Sequence, residues 1–188
     1  MIRTPADDAI GYIKKTVIGD VMNIKKVRVD KEGTGMGWGA VYAQYLESMD
    51  QIGEQGNGLS VSRQLYKGDE ALNESAPLKV GDKITVRLTV KADRDMDFVQ
   101  IKDDRAACME PLQAVSGFRW SNGLGYYQAT KDASTQFFID QMRKGTYVIE
   151  YQVYVNRTGE YQTGIATVQS AYAPEFGGHT GGYRVMVE

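Results

Sequence analysis

From residue 83 to residue 91 the chain alternates strictly between apolar and polar side chains. Ile84, Val86, Leu88 and Val90 fall on one side, and Lys83, Thr85, Arg87, Thr89 and Lys91 on the other. A period of two places successive side chains on opposite faces of a strand, so the first set meets a core and the second meets water. Gly81-Asp82 supplies the turn before it. Tyr147, Ile149, Tyr151, Val153 and Val155 alternate in the same way, with Gly145 opening the segment and Gly159 following it. This pattern predicts a hairpin between that strand and one over 164–172. Shorter strands are predicted at 98–101, 135–142 and 183–187. Strands at this spacing with polar turns predict an all-β fold, an antiparallel β-sandwich over 58–188.

The N-terminal part reads differently. Residues 23–29 and 41–46 have strand character, and a short helix is expected over 5–14. The glycine run from Gly33 to Gly39 lies between the two strand candidates. A phosphate-binding loop needs a strand before it, a helix after it and usually a Lys-Ser/Thr pair. The pair is absent and strand-like sequence follows, so a hairpin turn is the expectation. Residues 53–58 have no periodicity and read as a linker. A boundary is expected there, with 1–57 as additional N-terminal strands plus linker and 58–188 as the sandwich.

Composition narrows the function classes. The chain has 188 residues, a net charge of -2 and a pI near 5.5. No basic excess steers it to nucleic acid or to an anionic membrane. No run is long and apolar enough to cross a bilayer, and no signal peptide is visible. The lone cysteine, Cys108, permits no internal disulfide. No cofactor is implied.

Candidate chemistry is sparse. Asp93, Asp95 and Asp97 have the spacing that opens a calcium loop, but Phe98 and Asp104 stand where Gly and Glu are needed. A solvated acidic turn is expected, and no metal site. Asp103, Asp104 and Arg105 are close enough for a local ion pair. Cys108 and His179 would form a nucleophile–base pair only if the fold joined them. A buried thiol and a loop histidine are the plainer reading, so no catalytic residue is assigned. The stretch from Phe118 to Tyr127 holds Phe118, Trp120, Tyr126 and Tyr127 around Gly123 and Gly125. It is either a hairpin whose aromatics fill the edge of the core or a loop that presents them to another surface.

Several segments together resemble the C-terminal end of bacterial alpha-2-macroglobulins of the Bacteroides type. They are Leu78-Lys79-Val80-Gly81-Asp82-Lys83-Ile84, Arg105-Ala106-Ala107-Cys108-Met109-Glu110-Pro111, Gly123-Leu124-Gly125-Tyr126-Tyr127, Thr130-Lys131-Asp132-Ala133-Ser134-Thr135 and Tyr172-Ala173-Pro174-Glu175-Phe176. Trp38-Gly39-Ala40-Val41-Tyr42 is similar too. The resemblance implies that 1–57 are returning strands of a CUB-like β-domain and 58–188 a terminal macroglobulin-like sandwich. It implies an exported parent, in the periplasm or at the outer-membrane surface, that inhibits endopeptidases. It also implies a partner within that parent, a helical domain of the thioester type, and target proteases met through the full-length protein. A Cys-x-x-Gln thioester motif is absent here, since Pro111 stands where Gln is needed. In related proteins the last sandwich covers the thioester through a loop, and the matching stretch places Trp120, Tyr126 and Tyr127 in that covering role. The rival expectation is a free-standing carbohydrate- or peptide-binding sandwich that uses the same aromatics. A hydrolase built on Cys108 and His179 is a third.

Overall fold

The structure is a computed structural model that describes residues 14–19, 24–42, 44–73 and 76–188. The chain divides into two compact units, Met1–Leu46 and Glu47–Glu188. In the first unit the described residues form no helix and no strand. Strands expected over 23–29 and 41–46 are therefore not formed by the residues described there, and Asn23 and Ala43 lie outside the description. The expected helix over 5–14 also lies outside it, except for Lys14, which is not helical. Alternation marks a face that fits a sheet, but a strand exists only once its backbone groups pair with another. Ile24, Val27, Val29, Val41 and Tyr42 are all exposed. The glycine run makes a bend at Gly33–Gly35 with no strand on either side, held by Lys31 Nζ donating to the carbonyls of Gly33 and Thr34.

The described residues of the second unit form fourteen strands. They are β1 (Gln55–Asn57), β2 (Leu59–Lys67), β3 (Glu70–Ala71), β4 (Lys83–Ala92), β5 (Met96–Asp104), β6 (Met109–Pro111), β7 (Gly117–Ser121), β8 (Leu124–Thr130), β9 (Ser134–Met142), β10 (Gly145–Val155), β11 (Gly159–Gln162), β12 (Ala166–Ser170), β13 (Gly177–His179) and β14 (Arg184–Val187). A 3₁₀ turn at Met49–Gln51 precedes them.

Twelve strands join one antiparallel ladder, ordered β6-β10-β4-β2-β1-β13-β12-β5-β9-β8-β7 with β3 beside β2. The ladder folds over on itself around β1 and β13. Phe137 of β9 and Tyr151 of β10 sit far apart along it, yet their rings lie 5.9 Å apart. Two sheets thus face each other across one core, and β11 and β14 form a separate two-stranded sheet. This is the antiparallel β-sandwich expected from the alternation.

The core follows the parity read from the sequence. Val86 is paired with Tyr151, Leu88 with Ile149 and Ile84 with Val153, and all six are buried, as are Val90 and Val155. Each buried branched aliphatic contributes about 1.5–3 kcal/mol relative to exposure. Tyr147 is half-buried because its hydroxyl reaches the Arg143 carbonyl at the surface.

Two topological expectations are corrected. β10 does not form a hairpin with the 164–172 strand. It pairs with β4 and β6, while β12 pairs with β5 and β13. The inward sets of β10 and β12 are satisfied from opposite sheets, which proximity in sequence does not reveal. The linker expected over 53–58 contains β1, which pairs with β13 through Gly56 and Gly178. A Cβ at Gly178 would stand 2.7 Å from the Gln55 carbonyl oxygen, so glycine permits that approach.

Candidate functional site

The stretch from Phe118 to Tyr127 is a β-hairpin, β7–β8, closed by Asn122-Gly123. Both turn residues have positive φ, 51° and 79°, the requirement of a two-residue type I′ turn. The register pairs Phe118 with Tyr127, Arg119 with Tyr126 and Trp120 with Gly125. Directly opposed residues share a face, so the hairpin sorts its aromatics into two sets.

Tyr126 points inward. It is 6% exposed and its ring meets Phe137 edge-on, with centroids 5.6 Å apart. Burial pushes its phenol above the usual range, against the pull of the nearby Arg119 charge. The expectation of an exposed Tyr126 is therefore corrected: this ring fills the domain's own core. Phe118 and Trp120 point outward and are 79% and 76% exposed. Tyr127 is half-buried under Phe118, at 5.1 Å between centroids. The face continues to β9, where Phe138 lies opposite Tyr127 and is exposed. The ring of Trp120 lies over Gly125, where a Cβ would come within 2.9 Å of it. The stretch is thus a hairpin whose Tyr126 fills the edge of the core, while its other face leaves Phe118 and Trp120 exposed.

The other sequence candidates separate. Cys108 is fully buried in the turn just before β6, and burial pushes its thiol upward. His179 is on β13 rather than in a loop, its Nδ1 3.2 Å from the Thr180 carbonyl. Four strands stand between β6 and β13 in the ladder. Asp93 pairs with Arg94 at 2.9 Å, which holds its carboxyl below the usual range. Asp95 accepts from the Lys144 backbone N–H at 2.7 Å. Their carboxylates thus turn to separate partners.

The local ion pair expected among Asp103, Asp104 and Arg105 does not form. Asp103 is buried, and its Oδ1 is 2.6 Å from Nη1 of Arg63. Its Oδ2 accepts from the Tyr151 hydroxyl at 2.8 Å. Arg63 also donates to Thr163 Oγ1 and to the carbonyls of Asp104 and Gly164. Burial, the largest influence, pushes the Asp103 carboxyl up, while Arg63 and Tyr151 hold it down. Tyr151 is raised well above 10 and so remains a donor. Arg105 instead bonds Thr135 Oγ1 and the carbonyls of Lys131 and Asp132, and Asp104 pairs with Lys102. The sequence carries a signal for this network. Arg63 follows Leu59 and Val61, and Asp103 follows Val99 and Ile101, at inward parity on their strands.

The family model of the bacterial alpha-2-macroglobulin MG10 domain matches residues 58–175. Circularly permutated Ras protein 2 of Dictyostelium discoideum is 28% identical over 166 residues, covering 85% of this chain and 4% of that protein. The sandwich is similar to that of Salmonella alpha-2-macroglobulin, solved as a tyrosine-to-glycine mutant, with a TM-score of 0.62 at 19% identity over 72% of this chain and 10% of that one. Native Escherichia coli alpha-2-macroglobulin spanning MG7 to the C-terminus gives 0.60 at 17% identity, over 72% and 24% of the two chains. The chain thus spans a small part of the length of these relatives. At these identities the structural likeness is one of fold. The family match covers more than half of the 188 residues, and the chain belongs to the bacterial alpha-2-macroglobulin MG10 domain family.

Proposed function

We propose that the Glu47–Glu188 unit is a non-catalytic supporting and covering domain of a larger, extracytoplasmic inhibitor of endopeptidases. Its outer aromatic face rests on a helical domain of the thioester type in the same parent, and target proteases are met only by the full-length protein. The observation that carries this reading is the outward set Phe118, Trp120 and Tyr127 on one hairpin of an MG10-family sandwich. A monomer gains nothing by holding two large aromatics in water, and a contiguous apolar patch marks a contact surface. A thioester must be kept from water until it is needed, and aromatic rings displace water while offering few groups able to attack.

The test uses the full-length parent. Trp120→Ala and Tyr127→Ala, singly and together, are expected to speed methylamine uptake at the reactive site. Uptake unchanged in all three variants would show that this face is not a cover. A second reading rests on the Trp120 ring lying over Gly125 as an open platform. There the isolated domain would bind an oligosaccharide by stacking, with Trp120 fluorescence as the readout.

A further inference from the structure

On the inner side of the same hairpin lies a polar slot of about 330 Å³, lined by Arg119, Tyr126, Gln128, Glu150 and Gln152 among others. Its volume is at the small end of ligand pockets, which run from about 300 to 1,000 Å³. The slot separates the β7–β8 hairpin from the free edge of β10.

Four groups at the slot keep hydrogen-bonding capacity that no described residue takes up. Gln128 is 5% exposed, and its side-chain amide has no hydrogen-bond partner among the described residues. Among the described residues the sealed side-chain atoms without a partner are Arg63 Nε and Arg105 Nε, so the polar end of Gln128 opens on the slot, where a ligand can reach it. The Tyr126 hydroxyl, two residues along the same inward face, also has no partner among the described residues. Among the described residues Arg119 meets no carboxylate and donates to the carbonyls of Phe118 and Val115, at 3.2 and 3.4 Å. The fourth group is main chain. β10 pairs with β4 along its length, but on its other side β6 reaches only Val153–Val155. Beyond that, Gln152 O accepts from Leu112 N and Val148 O accepts from Asn122 Nδ2. Alternate residues of a strand direct their backbone groups to the same side. The N–H and C=O of Glu150 therefore face the slot too, with no partner among the described residues. The Glu150 carboxylate is taken by Arg87 at 2.5 Å, which leaves Arg119 without a carboxylate partner among the described residues.

We propose that the slot binds an extended peptide segment with an acidic side chain. The segment continues the line of β6 and pairs its main chain with Glu150, as in strand addition to a sheet edge. Its inward side chain places a carboxylate on Arg119, with Gln128 and Tyr126 donating to the remaining lone pairs. A sugar fits less well, because the Tyr126 ring is spent on Phe137 and offers only its hydroxyl. This site is independent of the outward aromatic face.

The experiment titrates the 188-residue chain with the acetylated, amidated pentapeptide Thr-Val-Glu-Val-Thr and its Thr-Val-Gln-Val-Thr counterpart, followed by ¹⁵N NMR. The glutamate peptide is expected to shift the Gln128 side-chain amide and the Glu150 backbone N–H. The glutamine peptide is expected to bind about ten-fold more weakly, the loss of one charge-assisted contact. Arg119→Gln should abolish the difference. Gln128→Leu should weaken binding while leaving the melting temperature unchanged or higher, as expected for an amide kept without a partner. The proposal is overturned if neither peptide moves these resonances at millimolar concentration, if both bind equally to the parent chain, if maltohexaose moves the same resonances, or if Gln128→Leu lowers the melting temperature.

Discussion

The guanidinium of Arg63 on β2 meets the carboxylate of Asp103 on β5 at 2.6 Å, joining the two sheets through the middle of the sandwich. Their side chains are only 5% and 1% exposed. Removing one partner of such a pair leaves a buried charge uncompensated, at a cost of about 3–5 kcal/mol, whereas replacing both by apolar groups of similar volume is often neutral or better. Arg63→Met and Asp103→Leu should each destabilise strongly in urea. The double variant should recover much of the loss, less the cost of the carbonyls that Arg63 also serves. Additive single effects would mean that the pair is not coupled.

Asp82, in the turn before β4, accepts from Lys67 Nζ at 2.8 Å and from the Lys79 backbone N–H at 2.9 Å. Burial pushes its carboxyl up, but these bonds outweigh it and the net shift is downward from 3.8. A lowered native value means that the unfolded chain binds the proton more tightly. The stabilisation is therefore present above the unfolded value and is lost as pH falls through the native one. The melting temperature of the parent chain should exceed that of Asp82→Asn near neutrality, and the gap should close on acidification below 3.8. A gap that persists in strong acid would assign the effect to something other than this carboxylate.

The fold was legible where one face is buried and the other wet. Ile84 through Val90 and Ile149 through Val155 carry their parity into the core because a one-residue slip would turn every apolar group into water. Pairing partners were not legible. β10 and β12 look like neighbours in sequence, but loop length permits either sheet and only the closed ladder decides. At 24–46 the strand pattern is present without a paired ladder. For the site, the turn chemistry of Asn122-Gly123 was readable, while the split between Tyr126 and Tyr127 depended on a register no single strand reveals. Arg63 and Asp103 sit on the apolar stripes of their strands, but that two charges there meet each other follows only from the packing of β2 against β5.

Gly123 and Gly125 serve the hairpin differently, and substitution separates them. Gly123 has φ 79°, so Gly123→Val forces a branched residue into the left-handed region at a cost of about 1–3 kcal/mol. Gly125 has ordinary backbone but lies beneath the Trp120 ring. In Gly125→Ala the exposed ring should swing aside with little change in stability and a clear change in Trp120 fluorescence. A large stability loss from Gly125→Ala would show that the ring is held in place by more than its neighbour.

Tyr126 and Tyr127 are adjacent, yet their removal should have unlike consequences. Tyr126 is buried against Phe137, so Tyr126→Ala opens a cavity and should cost about 3–5 kcal/mol in the isolated chain, as for other large aromatics. Tyr127→Ala forfeits the edge contact with Phe118, worth about 0.5–1.5 kcal/mol beyond the burial of a half-exposed ring, and should cost less than Tyr126→Ala. Trp120→Ala should fall within about 0.5 kcal/mol of the parent, as exposed positions generally do. The ordering decides how the covering proposal is tested. A change in reactivity caused by Tyr126→Ala would reflect a damaged core, whereas one caused by Trp120→Ala or Tyr127→Ala in a domain of parental stability reports on the outer face itself. Denaturant melts of the three variants settle the ordering. Should Trp120→Ala prove as costly as Tyr126→Ala, the outer ring belongs to the domain's own packing and cannot be assigned to a partner.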